Sequence, residues 1–323
     1  MYAQWNLVPL ESLGALSIGG RDVIPFLQGQ FSNDLAQLAA ERSLPAGYHN
    51  PQGRLLALMR LLTPSPGEVL AILPRELVTA VESRLRNFIL RSRVELADAS
   101  QAWRIEGLIG ADPARPAPAI PANVAPLAPP FTARLPQMAS GVARLGDSFA
   151  LRVGERPPRW LVVSPAAGTR GEPALASCAH AAPELWQRLA VGNGEPQVYA
   201  ATSGEFVAQM LNLDVLGAIA FDKGCYTGQE VIARAHYRGR VKRRLQRFRS
   251  SERLPLKPGD AGTLADGRTF RVVDAVHPPD GGCEFLAVAP LASAGPQADE
   301  ASAPAGAPRL DTTQLPLPYE LPE

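Results

Sequence analysis

The stretch with the most chemistry in it is Asp222-Lys-Gly-Cys-Tyr-Thr-Gly-Gln-Glu230. Cys225 stands two residues after Lys223, between Gly224 and Gly228, just ahead of an apolar run opened by Val231 and Ile232. Thr227-Gly-Gln-Glu230 has the form of a capping box, with Tyr226 and Val231 at the hydrophobic-staple positions. The pattern predicts a helix from Gly228 to about Tyr237, ended by Gly239. A helix N-terminus and a nearby ammonium both favour thiolate over thiol, while Asp222 and Glu230 oppose it. The expectation is a modestly activated thiol at Cys225, with Lys223 beside it. The plain alternative is a small buried hydrophobe in a turn whose glycines serve backbone geometry.

Other candidates are weaker. Arg238 to Arg249 holds seven cations in twelve residues (Arg238, Arg240, Lys242, Arg243, Arg244, Arg247 and Arg249). That is a local positive field in a chain of net charge +1, open to three readings: a solvated strand, a site for a polyanion, or an RNA contact. Only Tyr237 and Phe248 supply aromatic faces there, which is thin for nucleic acid. Asp34 and Asp214 are isolated carboxylates, read as a cap or surface acids. Glu205 and Gln209, one helical turn apart, read as a solvent face. No nucleophile elbow, phosphate loop, dinucleotide fingerprint or zinc helix is present.

Three scattered cysteines form no disulfide framework and no Cys-x-x-Cys, and the four histidines lie far apart in sequence, so no local spacing supports a metal site. No apolar run reaches membrane-spanning length, and the N-terminus lacks a signal-peptide pattern. A reducing compartment, the cytoplasm, is the expectation.

The elements that must position the motif follow from pattern. A strand over Leu13–Ile18, a helix over Asp22–Gln28 and caps at Ser32 and Asn33 open the chain. Asn50-Pro-Gln-Gly53 has type I turn chemistry and predicts a hairpin setting Tyr48-His49 against Arg54-Leu55. Leu77, Val81, Leu85 and Phe88 repeat at helical spacing after Pro74, which suits the helix's first turn. Residues 111–130 hold seven prolines and read as a linker. Asp266-Gly267 signals a two-residue hairpin, and Asp280-Gly-Gly282 another turn. The expected class is α+β. The expected domains are an α+β unit at 1–110, a Pro-rich linker at 111–135, and a second α+β unit at 136–238 ending in the cysteine motif. A β module at 239–290 and a disordered tail at 291–323 follow.

Lys223-Gly-Cys-Tyr-Thr-Gly-Gln-Glu230 is similar to the hallmark motif of the YgfZ family, folate-binding relatives of the aminomethyltransferase (T-protein) of glycine cleavage. Phe26-Leu-Gln-Gly-Gln30 with Asn33-Asp34, Pro51-Gln-Gly-Arg54, and Phe206 to Asp214 resemble further family segments in the right order, so the likeness spans about residues 10 to 290. Ala208 stands where the family often has proline. The resemblance implies two partly ferredoxin-like α+β units and a small C-terminal β-barrel around a tetrahydrofolate site. It also implies maintenance of iron–sulfur enzymes, especially under oxidative stress, and through them tRNA modification. By the matching segments, Cys225 and Lys223 would be the catalytic pair, with Gly224, Tyr226, Gly228, Gln229 and Glu230 completing the motif. Gln30, Asn33, Asp34 and Tyr226 would contact tetrahydrofolate or a one-carbon derivative. The expected partners are the folate and iron–sulfur proteins, with no membrane and with RNA contact through Arg238–Arg249 as a lesser alternative.

The aminomethyltransferase branch has an acidic pair after the hairpin glycine. Here Arg54-Leu-Leu-Ala-Leu58 puts Ala57-Leu58 there, and neither can accept a proton or hold a cationic amine. Glycine-cleavage chemistry is therefore not expected. A folate-dependent one-carbon transferase with another substrate stays open beside a binding role, toward which the sequence leans.

Overall fold

The structure is a computed structural model describing residues 5–110, 129–167, 173–239, 241–292 and 309–322. The first half of the chain supplies β1 (Asn6–Pro9), β2 (Leu13–Gly19), α1 (Val23–Gln28), β3 (Leu44–His49) and β4 (Leu55–Leu62). Then come β5 (Glu68–Pro74), α2 (Arg75–Arg86), β6 (Glu95–Asp98), β7 (Trp103–Ile109) and the short α3 (Pro129–Thr132). The second half adds β8 (Val142–Leu145), β9 (Ser148–Glu155), β10 (Pro158–Pro165), β11 (Ala179–His180), α4 (Pro183–Gly192) and α5 (Gln229–Tyr237). The chain closes with β12 (Arg243–Ser250), β13 (Ala261–Thr263), β14 (Thr269–Val276), β15 (Cys283–Pro290) and β16 (Thr313–Leu315). The class is α+β, with three sheets and few helices.

Two compact units are assembled from interleaved segments. The first takes Met1–Gln28, Asp34–Pro45 and Met59–Trp186; the second takes Gly29–Asn33, Ala46–Leu58 and Gln187–Glu323. The first unit carries a six-stranded sheet in the order β11-β1-β7-β10-β9-β8, antiparallel but for β1 with β11. β7 pairs on both edges, with β1 and with β10, so strands on either side of the Pro-rich stretch share one sheet. The expected boundary between two α+β units at 111–135 does not separate these strands; residues 111–128 of that linker lie outside the described residues. Leu7, Leu108, Trp160 and Val162 build the core of this sheet. A five-stranded sheet, β3-β4-β5-β2-β6, also lies largely in this unit. Helix α2 buries Leu77, Val78, Val81 and Leu85, as the spacing predicts. Phe88 falls beyond its end and is exposed, and Pro74 ends β5 in extended conformation as the residue before the helix.

In the second unit, β13-β14-β15-β12-β16 form a fully antiparallel sheet. Alternation sends Phe248, Phe270 and Phe285 to one apolar cluster, joined by Leu264, with the Phe248 and Phe270 rings each 5.5 Å from that of Phe285. The Asp266-Gly267 turn forms between β13 and β14 with Gly267 at positive φ. The sheet order is open at both ends, and Thr263 meets Arg309 in only one isolated bridge, so the expected barrel is not closed by the described strands. The expectation of a disordered tail also fails for residues 309–322. Thr313–Leu315 pairs with β12, Leu310 enters the apolar cluster, and the Tyr319 hydroxyl donates to Gly194 O at 2.7 Å. The Ala/Pro-rich composition hid three anchors, a strand, a leucine and a tyrosine.

Candidate functional site

The cysteine motif belongs to the second unit, together with the hairpin Ala46–Leu58 and the segment Gly29–Asn33. The hairpin turn closes as expected, with Gly53 N donating to Asn50 O and Asn50 Oδ1 accepting from Arg54 N, both at 2.9 Å. Gly53 takes φ +72°, open to a residue without a Cβ. Gly228 faces it at φ +83°, and a Cβ on Gly228 would stand 2.5 Å from Asn50 O. The two glycines let the motif backbone lie directly on the turn.

That contact replaces the expected capping box. Helix α5 begins at Gln229 with Gly228 as its N-cap, and no side chain caps it. Glu230 instead forms an exposed ion pair with Arg234, one turn along, at 3.1 Å. Thr227 reads as a cap in sequence, but seating Gly228 on the turn sets the entry to the helix.

Lys223 is engaged with backbone. Its ammonium donates to Phe31 O at 2.6 Å and Asn33 O at 2.8 Å, and lies 4.9 Å from the centre of the Tyr226 ring. It thus ties the motif to the 29–33 segment, where Ser32 Oγ donates to Ala218 O and Asn33 Nδ2 to Gly217 O. Tyr226 is buried, its phenol held above its ordinary range by desolvation, with its ring 6.3 Å from that of His49. Cys225 is exposed on this scaffold, as are Gly224 and Asp222, while Cys178 and Cys283 are buried and in no disulfide. Burial and the neighbouring Glu284 push the Cys283 thiol up to about 11.

The remaining candidates divide. Gln30 is buried and its Oε1 has no hydrogen-bond partner. Asp34 works as a cap in the first unit, accepting from Ala36 N at 3.1 Å and from Gln28 Nε2 at 2.9 Å. Asp214 is not a surface acid: it forms a bidentate pair with Arg244, at 3.0 and 2.9 Å, with both side chains buried. Gln209 is fully buried rather than solvent-facing and donates to Ile232 O at 2.7 Å, joining this network to α5. Glu205 lies 3.5 Å from Arg271.

The basic run spends much of its charge internally. Arg244 is held by Asp214, Arg247 by Glu284 and Arg249 by Asp280, while Arg243 donates to Thr269. Arg238 and Lys242 are exposed, and Arg240 lies outside the described residues. His49 had no signal but its place: a histidine in a strand about to turn, two residues after a glycine. It is 1 % exposed, its ring lies against Gly47, and burial drives it down to about 3. The Gly47 backbone offsets part of that shift without reaching hydrogen-bond geometry. Among the described residues, no group of three or more His, Cys, Asp or Glu could hold a metal ion, and no helix is long and apolar enough to cross a membrane.

No family model matches the chain. It is 31% identical over 321 residues to the tRNA-modifying protein YgfZ of Edwardsiella ictaluri, covering 97% of this chain and 92% of that one. It is 31% identical over 289 residues to the protein of the same name from Escherichia coli K12 (85% and 82%), and 25% over 286 residues to that of Colwellia psychrerythraea (87% and 84%). Among solved structures, the glycine cleavage system aminomethyltransferase T from Bartonella henselae superposes with a TM-score of 0.66 at 15% identity. The match covers 89% of this chain and 79% of that one, and shows a shared fold.

Proposed function

The chain belongs to the YgfZ family, and from that premise we propose that it binds tetrahydrofolate or a one-carbon derivative and uses Cys225 to support assembly or repair of iron–sulfur enzymes, and through them tRNA modification. The mounting of Cys225 carries this reading. Its neighbours are fixed, Lys223 by two carbonyls, Tyr226 by burial and Gly228 by close approach to the hairpin, while the thiol itself stays exposed. A cysteine kept only for packing belongs inside, where Cys178 and Cys283 are. The relatives' name supports the link to tRNA modification. Three cysteines in no disulfide are in keeping with a reducing, cytoplasmic compartment.

The shared aminomethyltransferase fold does not bring that activity with it. Leu55 and Ala57 are buried and apolar, and no carboxylate stands on this part of the hairpin to take a proton from a substrate amine. The residues present fit a folate in part. Gln30 offers a buried acceptor and Tyr226 a ring face, whereas the Asn33 amide and the Asp34 carboxylate already serve the fold. When bound, tetrahydrofolate supplies a carrier for one-carbon units; the chain supplies the acceptor, the ring and a soft sulfur nucleophile.

The test is complementation of a deletion strain, reading iron–sulfur enzyme activity and modified tRNA. Wild type restores both, and Cys225→Ala restores neither. Full restoration by the alanine variant removes the thiol from the function. Turnover of methylene- or formyl-tetrahydrofolate by the purified protein would instead favour a one-carbon transferase.

A further inference from the structure

The loop after α2 holds apolar side chains out in solvent on a fixed backbone. Helix α2 ends at Arg86, and the chain winds on tightly, with Phe88 N donating to Leu85 O at 3.0 Å and Ile89 N to Arg86 O at 3.3 Å. Ser92 N then donates to Ile89 O at 2.7 Å, closing a turn with Leu90 and Arg91 at its tip. The far foot of the loop is pinned to Asp22, whose carboxylate accepts from Arg93 N at 2.8 Å and whose N–H donates to Arg93 O at 3.4 Å. Leu85 and Val94, before and after the loop, are buried. Leu90 is 90 % exposed, the most exposed large apolar side chain among the described residues, and Phe88 is 43 % exposed.

Leu90 also has φ +38°. A turn whose first central residue lies at positive φ is ordinarily given glycine, asparagine or aspartate. Leucine there serves neither the turn nor the core, and it costs the fold twice, as backbone strain and as apolar surface in water. The charges around it in sequence are of one sign: residues 84–93 hold Arg84, Arg86, Arg91 and Arg93 and no acid. Arg86 is taken by Glu82, and Arg93 is exposed beside Asp22. Arg84 and Arg91 are exposed and have no ion pair among the described residues.

These features select among occupants. A nucleobase stacks on a ring face, and Leu90 has none. A bilayer takes up a broad apolar face, whereas here one aliphatic side chain stands clear of a polar loop. A fixed aliphatic knob among arginines is complementary to an apolar pocket of side-chain size with carboxylates at its rim, the form of a protein anchor site. We propose that Phe88–Arg93 is a docking loop for an acidic protein partner, with Leu90 as its anchor and Arg84 and Arg91 meeting the partner's carboxylates. The inference stands apart from the folate and cysteine reading.

The test places benzoylphenylalanine at position 90 of the full chain, expressed in a deletion strain, and irradiates the cells. The expected product is a covalent adduct with another protein, joined at a peptide rich in Asp and Glu, and lost when Arg84→Glu and Arg91→Glu are combined. Adducts only with a second copy of this chain, with RNA or with lipid, or no adduct at all, overturn the proposal. So does an adduct indifferent to the charge reversal. The protein so identified is then purified and titrated calorimetrically against wild type and Leu90→Asn. Affinity should fall about tenfold in the variant, while its melting temperature stays level or rises, because asparagine suits the left-handed turn position. Equal affinity removes Leu90 as the anchor and overturns the proposal. Should Leu90→Asn unfold, Arg91→Glu takes its place in the titration, with a similar loss expected and equal affinity again overturning the proposal.

Discussion

Cys225 and Tyr226 are adjacent in sequence and opposite in role, one turned to solvent and the other into the unit. Cys225→Ala should therefore leave stability within about 0.5 kcal/mol of wild type in urea unfolding while function is lost. Asp214 shows the reverse pattern. Asp214→Leu strands the Arg244 guanidinium in a buried site and should destabilise by about 3–5 kcal/mol, read from the urea midpoint. His49 adds a pH signature. The unfolded imidazole protonates near 6.5, but the buried one resists until about 3. Stability contributed by the neutral ring is fully present above 6.5 and is lost as pH falls toward 3, by up to about 1.4 kcal/mol per pH unit. His49→Phe should flatten that part of the stability–pH curve, and an unchanged curve would show that His49 does not carry it.

At the scale of elements, the sequence showed that a helix follows the cysteine and that Asn50–Gly53 turns, but not that the two meet. Capping chemistry is local and readable from Thr227 and Glu230, whereas the seat of Gly228 on Asn50 O depends on residues more than 170 positions apart. The basic run failed to read for the same reason: its acids, Asp214, Glu284 and Asp280, arrive from elsewhere in the chain. The two accounts of the helix start differ in what mutation does. A working capping box makes Thr227→Ala cost about 1 kcal/mol. With Gly228 as the N-cap, Thr227→Ala should stay within about 0.5 kcal/mol. Gly228→Ala, forced to hold φ +83° with a Cβ against a carbonyl, should lose at least about 1–2 kcal/mol. Thermal melts of the two variants separate the readings.

For the whole molecule, composition pointed to a cut between strands that pair in one sheet. Seven prolines in 111–130 read as a linker between two α+β units, although Pro129 and Pro130 open α3. Pairing between distant strands leaves no mark on local composition, however, and β7 lies between β1 and β10 in one sheet. A fragment of residues 1–110 would carry β7 with the Leu108 face uncovered and the edge toward β10 unpaired, the state that drives aggregation. The same fragment keeps Gly29–Asn33 and the hairpin but loses Ala218, Gly217 and Lys223, which hold that segment in the second unit. Expressed alone it should be insoluble or bind a hydrophobic dye without a cooperative melt, and co-expression with residues 111–323 should rescue solubility. A sharp, reversible melt from the isolated fragment would mean that 1–110 folds on its own, and that the shared sheet is an addition to a complete domain and not its completion.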